Sequence, residues 1–418
     1  MEFTFADIND AYCTIVGMFK DFINNGSPKS HPYLKRSTSR NGDVIRFKEP
    51  VTIHYLLPSE RVLLSPDRNE NPFFHLYEAL WMLNGNCDVA PLAALNSNMK
   101  NYSDDGKTFN GAYGRRWRRA IINENSPFEK EVDQLYLIIE HLKRQKDSRR
   151  AVLQMWNVSE DLLKIEGVTG YCNYDDFKSF SRDVCCNTAC FFDVDEDVLN
   201  MSITNRSNDA IWGLLGANYV HFSFLQEYVA AHLGVKLGRM TVFSNNVHTY
   251  VDKFNVNWDI EYVKEITSLK LLYNNLENLQ NWQGDLTKNK NCFRSFGLNQ
   301  QVNDFDLDLP NFVAHFDLSI RNIGFLEDVE QLEGKDWNHS FLQEVAKPLL
   351  LVFFFHKNGY YAKAAYWLEK IIHYEWQRAA MRWIRQRWLA NGCTEALEAL
   401  DYLRTNTNFK TLEKDLSK

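Results

Sequence analysis

None of the eight cysteines in the 418-residue chain forms a Cys-x-x-Cys pair. None has a histidine at metal-ligand spacing either, so no metal site is expected. No repeat, low-complexity tract or Pro/Gly/Ser-rich linker occurs. Long apolar runs are missing too. The longest, Pro348 to Phe355, falls far short of the roughly 20 residues that cross a bilayer. No segment reads as a signal peptide. The expectation is a cytoplasmic, non-membrane protein whose cysteines are mostly free thiols. An excess of positive charge is also lacking. A net charge of -7 argues against a surface that coats nucleic acid, while leaving room for a local basic pocket that holds a phosphate.

Hydrophobic residues at 45% and charged residues at 24% are ordinary for a globular protein, and the length suffices for a large core. Val51 to Leu57 reads as a strand. Pro72 opens an apolar helix through Leu83, ended by Asn84-Gly85. Ala151 to Trp156 reads as a buried strand. Cys190 to Asp193 and Leu199 to Thr204 read as two strands joined by the acidic turn Asp195-Glu196-Asp197. Tyr219 to Leu233 reads as a long apolar helix closed by Gly234. Strands with scattered helices, without strict alternation, indicate an α+β fold.

The texture changes near residue 325. Phe341 to Phe355 and Tyr361 to Leu389 look helical, and Trp337, Trp367, Trp376, Trp383 and Trp388 concentrate there. The expected division is a main domain over 1–320 and a Trp-rich helical extension over 321–418. The second helix also carries Lys363, Lys370, Arg378, Arg382, Arg385 and Arg387, which suits contact with nucleic acid or a partner protein. The plainer reading is an amphipathic helix packing its Trp face onto the main domain.

Three cysteines, Cys185, Cys186 and Cys190, lie beside Asn187-Thr188. Alone they read as small core residues. Arg206, at a spacing that returns it along a hairpin toward Cys186, favours a reactive thiol, because a guanidinium can polarise sulfur and bind a phosphate bidentately. Arg149-Arg150 precede a strand and are either solvated or matched to a dianion. Glu78 lies on an apolar helical face, where a carboxylate is either ion-paired or a general acid/base with a raised pKa. His248 and Tyr250 suit a sugar hydroxyl or a turn.

These residues together resemble thymidylate synthase and its relatives, the phage-type deoxypyrimidylate hydroxymethylases. The resemblance covers roughly residues 30–255. It rests on Arg40-Asn41-Gly42, Glu78 with Trp81, Asn110 to Arg118, Asp147 to Arg150, and the stretch from Cys186 through Asn218 to His248 and Tyr250. It implies a thymidylate synthase-like fold with a large mixed sheet at a homodimer interface, and Arg149 and Arg150 completing the partner's site. It assigns the nucleophile to Cys186, counting back from Arg206 along an ungapped hairpin, with Cys185 in the place of the usual proline. The implied catalytic set is Cys186, Glu78, Tyr113, Asn187 and Asp209. Arg40, Arg149, Arg150, Arg206 and Ser207 would hold the phosphate. Asn218, allowing one inserted residue after Gly213, would read the base, and His248 and Tyr250 the sugar. Asp209 and Trp81 would face 5,10-methylenetetrahydrofolate. Cys186 would add to C6 of the pyrimidine and make C5 the carbon that accepts the one-carbon unit.

Three departures separate the chain from the synthases. Asn187 replaces the histidine after the nucleophile. Met99-Lys100-Asn101-Tyr102 stands, without a tryptophan, where the synthases have a pair. About ninety extra residues replace the short C-terminal cap. Less shielding of the new carbon favours attack by water over hydride. A carboxamide offers both acceptor and donor, which suits uracil, whereas a cytosine-specific relative is expected to carry an aspartate. The reading is a dUMP hydroxymethylase serving modified viral DNA. The alternatives are a thymidylate synthase, a dCMP hydroxymethylase, and an inactive relative whose C-terminal helices bind a replication protein or nucleic acid. The expected partners are dUMP, the folate, a second copy and other proteins of nucleotide synthesis; direct nucleic-acid binding is not expected.

Overall fold

Period-two alternation of apolar and polar residues builds the main sheet. The computed structural model describes residues 1–39, 41–65, 67–121, 131–161, 181, 183–265, 301–321 and 333–405. In chain order its first half holds β1 (Glu2–Phe5), α1 (Ile8–Asn24), β2 (Leu34–Ser39), β3 (Gly42–Phe47), β4 (Val51–Tyr55), α2 (Pro72–Leu83), α3 (Val89–Leu95), α4 (Tyr113–Arg118), β5 (Ala120–Ile121), β6 (Glu131–Val132), α5 (Gln134–Arg144), β7 (Val152–Gln154) and α6 (Val158–Asp161). There follow β8 (Asn187–Asp195), β9 (Val198–Asn205), β10 (Asn208–Asp209), α7 (Ala217–Leu233), β11 (Lys236–Ser244) and β12 (Val247–Tyr250). The last helices are α8 (Val302–Arg321), α9 (Lys347–Lys357), α10 (Tyr361–Lys370), α11 (Tyr374–Asn391) and α12 (Thr394–Thr405).

The main sheet has the order β1-β4-β11-β9-β8-β7 and is mixed, with β1/β4 and β11/β9 parallel and the other pairs antiparallel. Residues in register across it share a face. Phe192, Met201, Met240, Tyr55 and Phe5 form one buried row, and Leu153, Cys190, Ile203, Val242 and Ile53 another. The intervening rows carry Val152, Phe191 and Phe243, all exposed. Helix α7 is buried on every side from Tyr219 to Ala231, as its apolar sequence requires, and ends where Gly234 turns left-handed at φ 64°. A smaller sheet, β10-β12-β3-β2, holds His248 opposite Arg46 and beside Asp209.

The chain divides into two compact units, and neither is continuous in sequence. One comprises Met1–Ala6, Asn25–Ser59 and Tyr77–Phe254; the other comprises Asp7–Asn24, Glu60–Leu76 and the described residues from Asn255 onward. A cut near 320 does not separate them, since α1 and α8 both belong with the C-terminal helices. Within that second unit Trp376, Trp383 and Trp388 are buried, as are Arg378 and Arg382 of the same helix. Trp383 meets Phe73 edge-on at 5.2 Å and Arg382 lies over the ring of Tyr262 at 5.6 Å. The Trp face therefore packs inside its own unit, and two of the six basic residues are interior. The helix expected over 361–389 is two helices. Ile371, buried and extended at φ -70° and ψ 109°, ends α10, and His373 opens α11. The stretch expected as one helix over 341–355 starts as a single π-type turn, Leu342–Ala346, before α9.

Candidate active site

The β8–β9 hairpin sets the centre of the site. Pairs from Asp195/Val198 to Ala189/Thr204 keep one register, which then shifts so that Asn187 faces Asn205. The hairpin is thus not ungapped. Thr188 is the extra residue of a bulge, and its hydroxyl donates to the Thr204 carbonyl at 3.0 Å. That one-residue offset sets Cys186 opposite Arg206, whose backbone N–H donates to the Cys186 carbonyl at 2.9 Å.

Arg206 holds the loop that carries the thiol. Its Nε donates to the Cys185 carbonyl at 2.8 Å and its Nη2 to the Val184 carbonyl at 2.9 Å. The same Nη2 lies 3.8 Å from Cys186 Sγ. No bond from Nη1 occurs among the described residues, which leaves two donors for an anion. Trp156 lies beside the guanidinium, 5.8 Å away, in an open recess lined also by Val152, Gln154, Thr188 and Ala189.

Of the three neighbouring cysteines, Cys185 and Cys190 are buried and Cys186 is partly exposed. Burial raises the Cys186 thiol above its ordinary pKa, and Arg206 pulls the other way without winning. The thiol therefore rests protonated at neutral pH. Tyr113 stacks on Phe222 at 5.7 Å, and burial lifts its phenol well above the usual value, so it is a hydrogen-bonding group and not a base. Asp183, three residues before Cys186, accepts from the Gly111 amide at 2.7 Å, and burial brings its carboxyl up to about 6. Sequence reasoning did not single out Asp183; its only signal was proximity to the thiol.

The motif from Asn110 to Arg118 is held by buried charge. Arg116 makes a fork to Asp161, 3.1 Å on each arm, and also donates to the carbonyls of Asn110 and Met155 at 3.0 Å. Arg115 meets Glu160 at 2.6 Å. Gly114 has no room for a side chain, since a Cβ there would lie 2.1 Å from the Met82 carbonyl oxygen.

Glu78 on α2 is buried and accepts from, or donates to, His221 Nε2 on α7 at 2.8 Å. His221 Nδ1 is buried without a partner among the described residues. Sequence reasoning missed His221, although it stands one helical turn beyond Asn218. Trp81 is buried, donates to Asp88 at 3.1 Å and meets Phe109 edge-on. Asn187 is fully buried and turned inward, with its Nδ2 on the Thr204 carbonyl and on Asn205 Oδ1, both at 3.2 Å.

Asp209 caps the turn Ala210–Leu214 through Oδ1, which accepts from the Ile211 and Trp212 amides at 2.8 and 2.6 Å. Trp212 beside it is 52% exposed. Ser207 is half-buried next to Arg206. His248 bonds Asn246 at 3.2 Å, and burial lowers its pKa, so it is neutral at pH 7. Tyr250 packs edge-on against it at 5.4 Å. Arg149 and Arg150 are both exposed, between α5 and β7. Met99 to Tyr102 lie on a short 3-10 turn, Ser97–Tyr102. Arg40 lies outside the described residues, as do residues 406–418.

The description of the thymidylate synthase family matches residues 36–308, more than half of the chain. The chain is 48% identical to a deoxyuridylate hydroxymethyltransferase of Pseudomonas phage M6 over 221 residues, 53% of this chain and 56% of that one. It is 33% identical to the Bacillus phage SP01 protein of the same name over 253 residues, 57% and 62% of the two chains. The Delftia phage PhiW-14 protein of that name is 28% identical over 248 residues, 59% of each. The matched stretch thus spans little more than half the length of these relatives.

Proposed function

The chain belongs to the thymidylate synthase family, and from that premise we propose that it is a deoxyuridylate hydroxymethyltransferase producing 5-hydroxymethyl-dUMP for modified phage DNA, in the cytoplasm of an infected host. The observation that carries the reading is the Cys186 thiol held beside the Arg206 guanidinium at the hairpin bulge. A thiol, a cation with spare donors and a carboxamide, for which Asn218 is the candidate, are the groups needed to attack a pyrimidine ring, hold its phosphate and read its edge.

Cys186 Sγ adds to C6 of the uracil, forming a C–S bond and moving the C5=C6 electron pair onto C5 and O4. Because the thiol rests protonated, attack is coupled to loss of its proton, and Arg206 steadies the thiolate as it forms. The Arg206 Nη1 donors, with Ser207, bind the phosphate. The neutral His248 imidazole offers a hydrogen bond to the deoxyribose 3′-hydroxyl, with Tyr250 packed against it. Glu78, bonded to His221, handles protons on the pyrimidine, and Tyr113 remains a neutral hydrogen-bond partner.

The one-carbon donor, 5,10-methylenetetrahydrofolate, supplies a carbon at the oxidation level of formaldehyde. The chain has groups that fit it. A pterin is flat with a donor edge, and Asp209 beside the exposed Trp212 indole presents a carboxylate next to an aromatic face. Once C5 has bonded to the donor's carbon, loss of the C5 proton with departure of tetrahydrofolate as an amine would leave a methylene outside the ring. Water adding to that carbon, with one water proton lost and Sγ expelled from C6, gives the hydroxymethyl product. Asn187, a carboxamide where the synthases have an imidazole after the nucleophile, supports water over hydride. The names of the phage relatives support the same choice.

The site reads as one half of a homodimer's. Arg149 and Arg150 are exposed and make no contact with Arg206 among the described residues, which suits service to a partner's phosphate. The sheet face bearing Val152, Phe191 and Phe243 is the surface for the second copy.

Mass spectrometry of the nucleotide product tests the reading. Protein is incubated with 5,10-methylenetetrahydrofolate and equal dUMP and dCMP. A gain of CH2O on dUMP, absent with Cys186→Ala, is the expected result. A gain of CH2 would make the chain a thymidylate synthase, and CH2O on dCMP a cytosine enzyme. No product with either base would reassign it to an inactive relative acting through its C-terminal helices.

A further inference from the structure

An asparagine reads pyrimidines ambiguously. With its carbonyl toward N3–H and its amide toward O4 it pairs with uracil. Rotated by half a turn about its last side-chain bond, it pairs equally well with N3 and the amino group of cytosine. A lone Asn218 therefore does not discriminate; something must hold its amide in one sense.

The structure contains such a holder. Asn218 Nδ2 donates to Asn208 Oδ1 at 3.2 Å. Asn208 is buried on β10, and its own Nδ2 reaches Ser244 Oγ at 3.5 Å. Ser244 Oγ also receives Nδ2 of the buried Asn205 at 3.5 Å. Asn205 Nδ2 donates to the Phe243 carbonyl at 3.2 Å, and Asn187 Nδ2 donates to the Thr204 carbonyl and to Asn205 Oδ1. Backbone carbonyls only accept, so Asn187 and Asn205 have one possible sense each. Ser244 Oγ faces the Nδ2 groups of both Asn205 and Asn208, and Asn208 in turn presents its Oδ1 to Asn218.

Gly213 provides an independent observation. A Cβ at this position would lie 2.5 Å from Asn208 Oδ1 and 2.9 Å from Asn218 Nδ2. The residue is bare at the point where the two amides meet, so any larger side chain would part them.

We propose that Asn208 is the residue that sets base specificity: by accepting from Asn218 Nδ2 it locks the reading amide in its uracil sense, leaving Asn218 Oδ1 for N3–H and the second Nδ2 proton for O4. Asn208 is a positioning residue and does not touch the base. The proposal rests on the assignment of Asn218 as the base reader. In the flipped sense two carbonyl oxygens would face each other across the Asn208–Asn218 contact. Loss of a buried hydrogen bond alters an equilibrium by about tenfold.

The test is calorimetric titration of the intact protein with dUMP and, separately, dCMP. For the wild type, dUMP binds more tightly. Asn208→Ala lowers the dUMP-to-dCMP affinity ratio about tenfold, and Gly213→Ala, which pushes the same amides apart from another element, lowers it likewise. Asn208→Asp, which keeps the acceptor, retains the ratio. A merely structural role for Asn208 weakens both nucleotides equally, and an unchanged ratio in folded Asn208→Ala and Gly213→Ala overturns the lock. If Asn218→Ala abolishes the preference while those variants keep it, the reader stands and the lock falls. If Asn218→Ala also keeps the preference, or the wild type binds both nucleotides equally, the reader itself is wrong and the proposal goes with it.

Discussion

At Cys186 two opposed effects act on one sulfur. Burial disfavours the thiolate and Arg206 favours it, and burial is the larger. Alkylation of Cys186 by iodoacetamide, followed by mass spectrometry of its peptide, should therefore rise with pH through a midpoint above the ~8.5 of a free cysteine. Arg206→Gln, uncharged, removes the opposing cation and should move the midpoint higher still, slowing labelling at pH 8 about two- to tenfold. A midpoint below that of a free thiol would mean that the cation dominates. The type of residue at each place was legible in the sequence: a thiol, an arginine returning along a hairpin, a carboxylate on an apolar helix. Their second partners were not. His221 and Asn208 look like ordinary members of a helix and a strand, because bonds 143 positions apart, as for His221, or 36, as for Asn208, leave no local pattern.

Elements were legible where periodicity is strong, and less so where geometry is decided by a single residue. The strand over Val51–Tyr55, the helix from Pro72 to Leu83 and the Gly234 cap follow from alternation and capping chemistry. The bulge at Thr188 does not, since it is a choice of register that only the folded hairpin makes. Nor does the break at Ile371, where a buried side chain takes precedence over a sequence that continues in helical rhythm. Short α4 illustrates the reverse, an element too brief to stand alone and held by charge. Asp161 and Glu160 are buried against Arg116, so Arg116→Ala leaves Asp161 without its cation and Glu160 with Arg115 alone. It should cost about 3–5 kcal/mol of stability, read as a fall in the urea midpoint. A loss under about 1 kcal/mol would show that water or Arg115 replaces the missing charge.

On the scale of the whole molecule, the exposed sheet face and the pair Arg149 and Arg150 are the features on which the proposed second copy rests. Cys186→Ala and the double variant Arg149→Ala/Arg150→Ala should each be nearly inactive. Unfolded and refolded together, they should recover about a quarter of wild-type activity, since half the dimers are mixed and one site in each is whole. No recovery would place the arginines in their own subunit's business.

The second unit has a further consequence, in the order of synthesis. Arg382 closes on the backbone of Leu64 across 318 residues, and Lys20 donates to the Trp258 carbonyl across 238. At roughly 5–20 residues per second on the ribosome, the segment around Leu64 waits about 15–60 s for its partner to be made. Helix α1, apolar on its buried face, emerges early and meets at first only residues 60–76 of its own unit, where Asn9 bonds the backbone of Val62 and Leu64. The nascent chain thus carries a partly uncovered amphipathic surface through most of translation, and holding chaperones are the natural cover for it.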